Sequence, residues 1–330
     1  MERLDLSEVI DLPFLLKSKD PKKNATFRKS LLRKIIVLSV LSAVLAPYAY
    51  PILLQIQGVI GNYLNESFQW LYHDVFNENK DFCFVLTTAV NGTIFFFLMT
   101  AIPTYHDFQG TNSSLYKYKI QEKKHPNEDM KKFWHTIKLV LFNMYIITPI
   151  VLVASIPLMR RRLSFGHLPP LSTILFQIFL GFFLQEALFY YGHRFLHYGI
   201  LYRRIHKVHH EWTAPFAIAC IYAHPIEYAI NNIFFVMLVP FILGSHVTFL
   251  WLWEAIILAH TINSHCGYHL PLFLSPEAHD FHHVSFTSCY GMIGLLDGIH
   301  QTDSAFKKHV AYKRAVTYFS TEPIKKQIPN

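Results

Sequence analysis

Charge is what this sequence has least of. Only 16% of its 330 residues are Asp, Glu, Lys or Arg, against about a quarter in an average soluble domain. Apolar residues make up 52%, and the positive mean hydropathy points to a membrane protein. Cysteine is also scarce. Cys83, Cys220, Cys266 and Cys289 contain no CxxC pair, which argues against a disulfide framework and for a reducing environment. No nucleic-acid-binding motif is present. The excess of Lys and Arg over acids, 30 against 22, therefore suits an anionic membrane surface better than a polynucleotide. The first thirty residues are polar and charged, so no cleavable signal peptide is expected, and insertion would rely on the first span.

What the chain has in quantity is long apolar runs. They cover 35–56 (kinked by Pro47 and Pro51), 82–103, 137–158, 171–191, 226–243 and 247–262. Several reach the roughly 20 residues needed to cross a bilayer. The expected fold is all-α: an integral membrane helical bundle of about four to six membrane helices or hairpins, with a histidine-rich cap on the cytosolic side. The expected divisions are a cytosolic arm at 1–34, an N-terminal membrane region at 35–170, a histidine-bearing domain at 171–314 and a tail at 315–330. The positive-inside rule places the basic arm and the lysine-rich 104–136 loop in the cytosol. Arg160, Arg161 and Arg162 conflict with it, because they fall on the far side unless the third and fourth runs form a re-entrant hairpin.

Histidine is the other surplus. Thirteen of twenty lie between His193 and His283, and ten of those form four clusters: His193 and His197; His206, His209 and His210; His265 and His269; His279, His282 and His283. Residues i and i+4 lie about 40° apart around a helix, so each cluster can aim two or three ring nitrogens at one spot. Neutral imidazole is a common ligand for iron, zinc and copper. Ten are too many for one ion and suit two. For His224, His246 and His260, outside the clusters, a hydrogen-bonding or helix-end role is at least as good a reading. An up-and-back hairpin of the last two runs would bring all four clusters to one side of the membrane. Glu186 lies in an apolar helix two turns before His193. A carboxylate at membrane depth is a functional candidate, expected to hydrogen-bond a ligand imidazole. Trp212, Phe216 and Tyr222 are candidates for a substrate-binding lining.

The boxes HRFLH, HKVHH and HDFHH follow an HxxxH, HxxHH, HxxHH order. That order resembles the fatty acid hydroxylase and sterol desaturase superfamily, and the run HKVHHEWTAPFAIACIYAHPIEY is most similar to its sterol C4-methyl oxidase branch. The resemblance is strong from about Leu184 to Arg314. It implies a multi-pass endoplasmic reticulum enzyme with the ten clustered histidines holding two iron ions. It also implies O2-dependent oxidation of an unactivated C–H bond in a membrane lipid, with electrons from cytochrome b5 and NAD(P)H. A sterol is the implied substrate, and a fatty acyl or sphingolipid chain is the alternative. A catalytically silent protein binding zinc through the same imidazoles is a further alternative. Two departures stand out: the branch carries aspartate where this chain has His269, and its closing Gly-Thr-Asp reads Gln301-Thr302-Asp303. The lone His125-Pro126 pair is followed by Asn-Glu, unlike the HPGG of a cytochrome b5 domain, so electrons would come from a separate partner.

Overall fold

The computed structural model describes residues 58–122 and 124–329. The expected arm at 1–34 and the apolar run at 35–56 lie outside the described residues. Residues 65–330 form one compact unit, which holds every histidine of the four clusters, and 58–64 fall outside it.

Helices dominate this unit. They are α1 (Lys80–Gln109), α2 (Met130–Ala154), α3 (Ile156–Arg162), α4 (Leu171–Leu196), α5 (Pro225–Leu243), α6 (Val247–His265), α7 (Glu277–Ser285) and α8 (Leu295–His300). Among the described residues, extended pairing is confined to two isolated bridges, Lys119–Tyr268 and Ser164–His246. The starts are capped: Asn79 Oδ1 accepts from Phe82 N at 3.0 Å, and Asp129 Oδ1 accepts from Lys132 N at 2.9 Å. Pro149 cannot donate to the preceding turn, and α2 passes through a π-helical turn at Asn143–Ile147 just before it. The buried Asn143 amide there donates to Ala223 O at 2.9 Å. Helix α5 stops at Gly244, whose φ of 62° is left-handed.

Helices α1, α2, α4 and α5 are long and apolar enough to cross a membrane. Helix α6 is not among those four, because it carries Glu254, His260, Asn263 and Ser264. It tolerates them by standing inside the bundle, packed against α1 and α5, where Asn91 of α1 donates to Glu254 Oε2 at 2.7 Å. Trp253 of α6 is fully buried against α4 at Gly181, where a Cβ would come within 2.8 Å of the indole. Helices α4, α5 and α6 share one bundle with α1 and α2.

Hydrogen bonds set the direction of each helix. At one end, Arg160 donates to Asp81 at 2.9 Å, Ser164 pairs with Ser245 and Val247, and His246 meets Gly166 O at 3.0 Å. At the other, Asp107 pairs with Lys119, and Lys132 reaches Glu211 O at 2.6 Å. The ends of α4 and α6, which carry His193 and His265, lie at this second end. Arg160 and Arg162 thus lie at the end of the bundle opposite the histidines. Arg160 has a carboxylate, and Arg162 donates to the C-terminal carbonyls of α5, Phe241 O at 2.7 Å and Ile242 O at 2.8 Å.

Gln301 ends α8 in the left-handed region at φ 56°, where the resembled families have glycine, so the turn survives at a backbone cost. Gln301→Gly is expected to stabilise the fold by roughly 0.5–1 kcal/mol, read as a rise in apparent melting temperature in detergent.

Candidate metal centre

Local structure explains how the boxes divide. His193 sits in the last turn of α4 and His197 caps it, its N–H still bonded to His193 O at 3.2 Å, so both rings share a face. His206, His209 and His210 occupy a 3₁₀ helix, His206–Glu211. His279, His282 and His283 lie on α7. Each triplet splits. His206 and His210 join His193, His197 and His282 in a group of five, while His279 and His283 join His209 and His265 in a group of four. Two rings of each triplet reach one spot and the third does not, because neighbouring residues project about 100° apart around a helix. His209 and His210 therefore face different groups, as do His282 and His283.

In the first group Nε2 of His210 lies 3.2 Å from His197, 3.0 Å from His206 and 3.2 Å from His282, and His193 lies 3.1 Å from His206. In the second, His265 is 3.2 Å from His209 and 3.0 Å from His279, which is 3.2 Å from His283. Ligands about 2.1 Å from one ion stand about 3.0 Å apart at right angles and about 3.4 Å apart at tetrahedral angles. The observed spacings fall in that interval. The two groups abut, with the rings of His210 and His283 4.8 Å apart.

The outer nitrogens hold the tautomers. Nδ1 of His193 meets Tyr290 O (2.8 Å), that of His206 meets Glu227 Oε1 (2.7 Å), and that of His209 meets Tyr222 O (3.0 Å). His265 meets Thr261 O (2.8 Å), His282 meets Ser288 O (2.6 Å), and His283 meets Trp212 O (3.0 Å). Each of these acceptors requires a proton on Nδ1, so each inward Nε2 presents a lone pair. Burial, reinforced by neighbouring rings, pushes His206, His210, His282 and His283 well below the usual imidazole range. Burial alone holds His209 down to about 4. These rings are neutral at pH 7, the form that binds a cation. The donor set thus fits two N-ligated transition ions.

His269 joins neither group. Helix α6 ends at His265, and Gly267 turns the chain at φ 74°. The i, i+4 relation therefore has no helix to act through. The turn is secured by Ile120 N on Gly267 O and His269 N on Tyr118 O, each at 2.9 Å. Both His269 ring nitrogens face protein acceptors, Glu277 Oε1 at 3.3 Å and Val316 O at 3.1 Å.

Glu186 hydrogen-bonds no imidazole. Its carboxylate accepts from Met292 N, Ile293 N and Leu296 N at 2.7, 2.9 and 3.0 Å, because the loop and the first turn of α8 leave those donors free. Trp212, Phe216 and Tyr222 are buried in the packed core and present no open face. The Trp212 indole donates to Thr136 at 2.9 Å, the Tyr222 hydroxyl donates to Glu211 at 2.6 Å, and Phe216 packs edge-on against Trp212. Two of them serve the site through backbone carbonyls, on His283 and His209. Outside the groups, His224 and His246 accept at helix starts, and His260 meets Met292 O at 3.1 Å.

Glu227 is the side chain that sequence reasoning missed. It is buried, and only its position within the AHPIEY stretch could have flagged it. Glu227→Ala is expected to weaken metal retention about 10–100-fold, measured by competition with a chelator. Glu227→Gln, which can still accept from His206, should fall between. An unchanged affinity in both would dismiss the role.

A fatty acid hydroxylase family model matches residues 178–302, which contain all nine grouped histidines. The chain is 38% identical to human fatty acid hydroxylase domain-containing protein 2, over 77% of each chain. It is 34% identical to methylsterol monooxygenase 2-2 of Arabidopsis thaliana over 59% of this chain and 77% of that one. It is 32% identical to fatty acid hydroxylase ahd1 of Mycosarcoma maydis over 61% and 53%. No solved structure matches. By the extent of these matches, and with its histidine boxes folded into two convergent groups, the chain belongs to the fatty acid hydroxylase family.

Proposed function

We propose that this protein is an O2-dependent membrane lipid oxidase that hydroxylates an unactivated C–H bond at a histidine-held di-iron centre, with a 4-methylsterol as substrate. The observation that carries the reading is the convergence of nine inward Nε2 atoms in two abutting groups at one end of a membrane bundle. Relatives named methylsterol monooxygenase favour a sterol. The relative named fatty acid hydroxylase supports an acyl chain as the second reading.

Five imidazoles (His193, His197, His206, His210 and His282) would hold one ion, and four (His209, His265, His279 and His283) the other. Iron in these sites supplies the redox chemistry with O2 that breaking a strong C–H bond requires. The chain's own contribution is position and charge. Six Nδ1 contacts keep the rings oriented before any ion arrives. Glu227 places a buried carboxylate behind His206, offsetting part of the charge that neutral imidazoles leave uncompensated. Trp212, Phe216 and Tyr222 wall the second group off from water.

Lys117, Lys124, Lys131 and Lys132 of the 104–136 loop and exposed Arg203, Arg204 and Lys207 lie at the histidine end, which supports a cytosol-facing site in the endoplasmic reticulum membrane. The same basic surface suits docking of cytochrome b5, reduced from NAD(P)H. In this reading residues 171–314 carry the chemistry, with the 1–34 arm and 315–330 tail flanking it. The test is O2 uptake by the purified chain with reduced cytochrome b5 and a 4-methylsterol, alongside elemental analysis. Two irons per chain and a hydroxylated product are expected. Bound zinc with no O2 uptake on sterol or acyl substrates would refute the proposal.

A further inference from the structure

The path of the chain after α7 poses a problem of depth. Glu186 precedes His193 by seven residues, which places it about 10 Å farther into the bundle along α4. His260 lies five residues, about 7–8 Å, below His265 on α6. Yet Glu186 accepts from the backbone of Met292, Ile293 and Leu296, and His260 meets Met292 O. The Met292 side chain packs against the cluster of Val239, Phe249, Trp253 and Ile257, inside the apolar region of α5 and α6. From Ser288 and Tyr290, whose carbonyls hold His282 and His193, the chain therefore descends below the histidines. It returns through His300, bonded to Tyr191 at 3.1 Å, and Thr302, whose carbonyl accepts from Cys289 N at 3.2 Å and closes the neck.

Irregular backbone at membrane depth is tolerated only where its polar groups are met by protein. Here five of its backbone donors are. Asp297 accepts from Tyr290 N at 2.8 Å and Gly291 N at 2.7 Å, and Glu186 accepts from Met292 N, Ile293 N and Leu296 N. Gly291 is needed for the approach, since a Cβ there would lie 2.6 Å from Glu186 Oε1 and 2.8 Å from Asp297 Oδ2. The outer face is apolar: Ile293, Leu295 and Ile299 are exposed at 48%, 43% and 65%, and the one formal charge, Asp297, is buried. That face adjoins α4, a helix long and apolar enough to cross a membrane, on which Phe176, Phe179, Phe183 and Tyr191 are exposed.

We propose that residues 290–300 are a re-entrant membrane segment whose Ile293, Leu295 and Ile299 lie against lipid acyl chains. At about eleven residues it is too short to span, the length of an interfacial or re-entrant element. It accounts for the membrane-buried carboxylate of Glu186 as the partner of a loop that would otherwise carry bare donors into the bilayer. Metal identity and substrate play no part in it.

The test is spin-label accessibility in lipid nanodiscs. Ile293→Cys, Leu295→Cys and Ile299→Cys are compared with Phe179→Cys as a lipid-facing reference and Lys307→Cys as an aqueous one. The four native cysteines are buried, and the unsubstituted chain gives the labelling blank. Labels at the three positions should favour oxygen over a water-soluble nickel chelate as strongly as Phe179, several-fold above Lys307. Nickel access equal to that of Lys307 would overturn the proposal and make the segment an aqueous loop or a protein-docking face. The unsubstituted chain provides an independent measurement, photolabelling by a phospholipid carrying a diazirine in its acyl chain. Adducts should appear on the 290–300 peptide, and labelling of α4 without that peptide would count against insertion.

Discussion

Replacing His210 by alanine is expected to abolish lipid oxidation and lower bound metal from two ions per chain to about one. His210 Nε2 touches three of the four other members of its group at 3.0–3.2 Å, so its loss opens the centre of the five-histidine cage. Disrupting residues behind the ligands costs about 10–100-fold in metal affinity or activity, and losing a ligand should cost more. His279→Ala should do the same to the other group, where His279 bridges His265 and His283. His269→Ala separates the spacing from the fold. Its spacing from His265 nominates it as a ligand, but its ring lies between Glu277 and Val316. The variant should therefore keep two ions. Elemental analysis of the three proteins decides the matter. If His269→Ala loses an ion while His210→Ala keeps both, the grouping is wrong.

Lys119→Ala should lower stability by about 3–5 kcal/mol, the cost of leaving a buried charge without its partner. Lys119 and Asp107 are 2% and 0% exposed and form an ion pair. Tyr268 donates to the same carboxylate at 2.8 Å, and Lys119 Nζ lies 4.4 Å over the Tyr268 ring. Asp107 Oδ2 has no hydrogen-bond partner among the described residues. The pair ties α1 to the Gly267–His269 turn that follows His265. Thermal unfolding in detergent should shift strongly, with metal loss from the His265 group preceding that from the other. Asp107→Asn combined with Lys119→Met should recover much of the loss, because no charge is then stranded. An unshifted melting curve for Lys119→Ala would show the pair to be dispensable.

Much of this was legible before folding. Apolar runs of spanning length located α1, α2, α4 and α5, and the up-and-down order of those runs brought the boxes to one end. The number of imidazoles implied two ions, and the groups number two. Spacing failed where the helix it presumes was absent, at His269, and it left open how the His206–His210 triplet divides. Glu186 was singled out correctly as anomalous and given the wrong partner, because its partners are backbone donors contributed more than a hundred residues later.

Composition and periodicity determine that this chain is helical and membrane-embedded, and that its imidazoles gather at one end. Those properties follow from local geometry and from the cost of placing polar groups in hydrocarbon. Tertiary structure alone decided which nine histidines converge, which of the two groups each joins, and which carbonyls and carboxylates stand behind them. A hydrogen-bond acceptor such as Tyr290 O or Ser288 O belongs to every residue alike, so only its place in space distinguishes it.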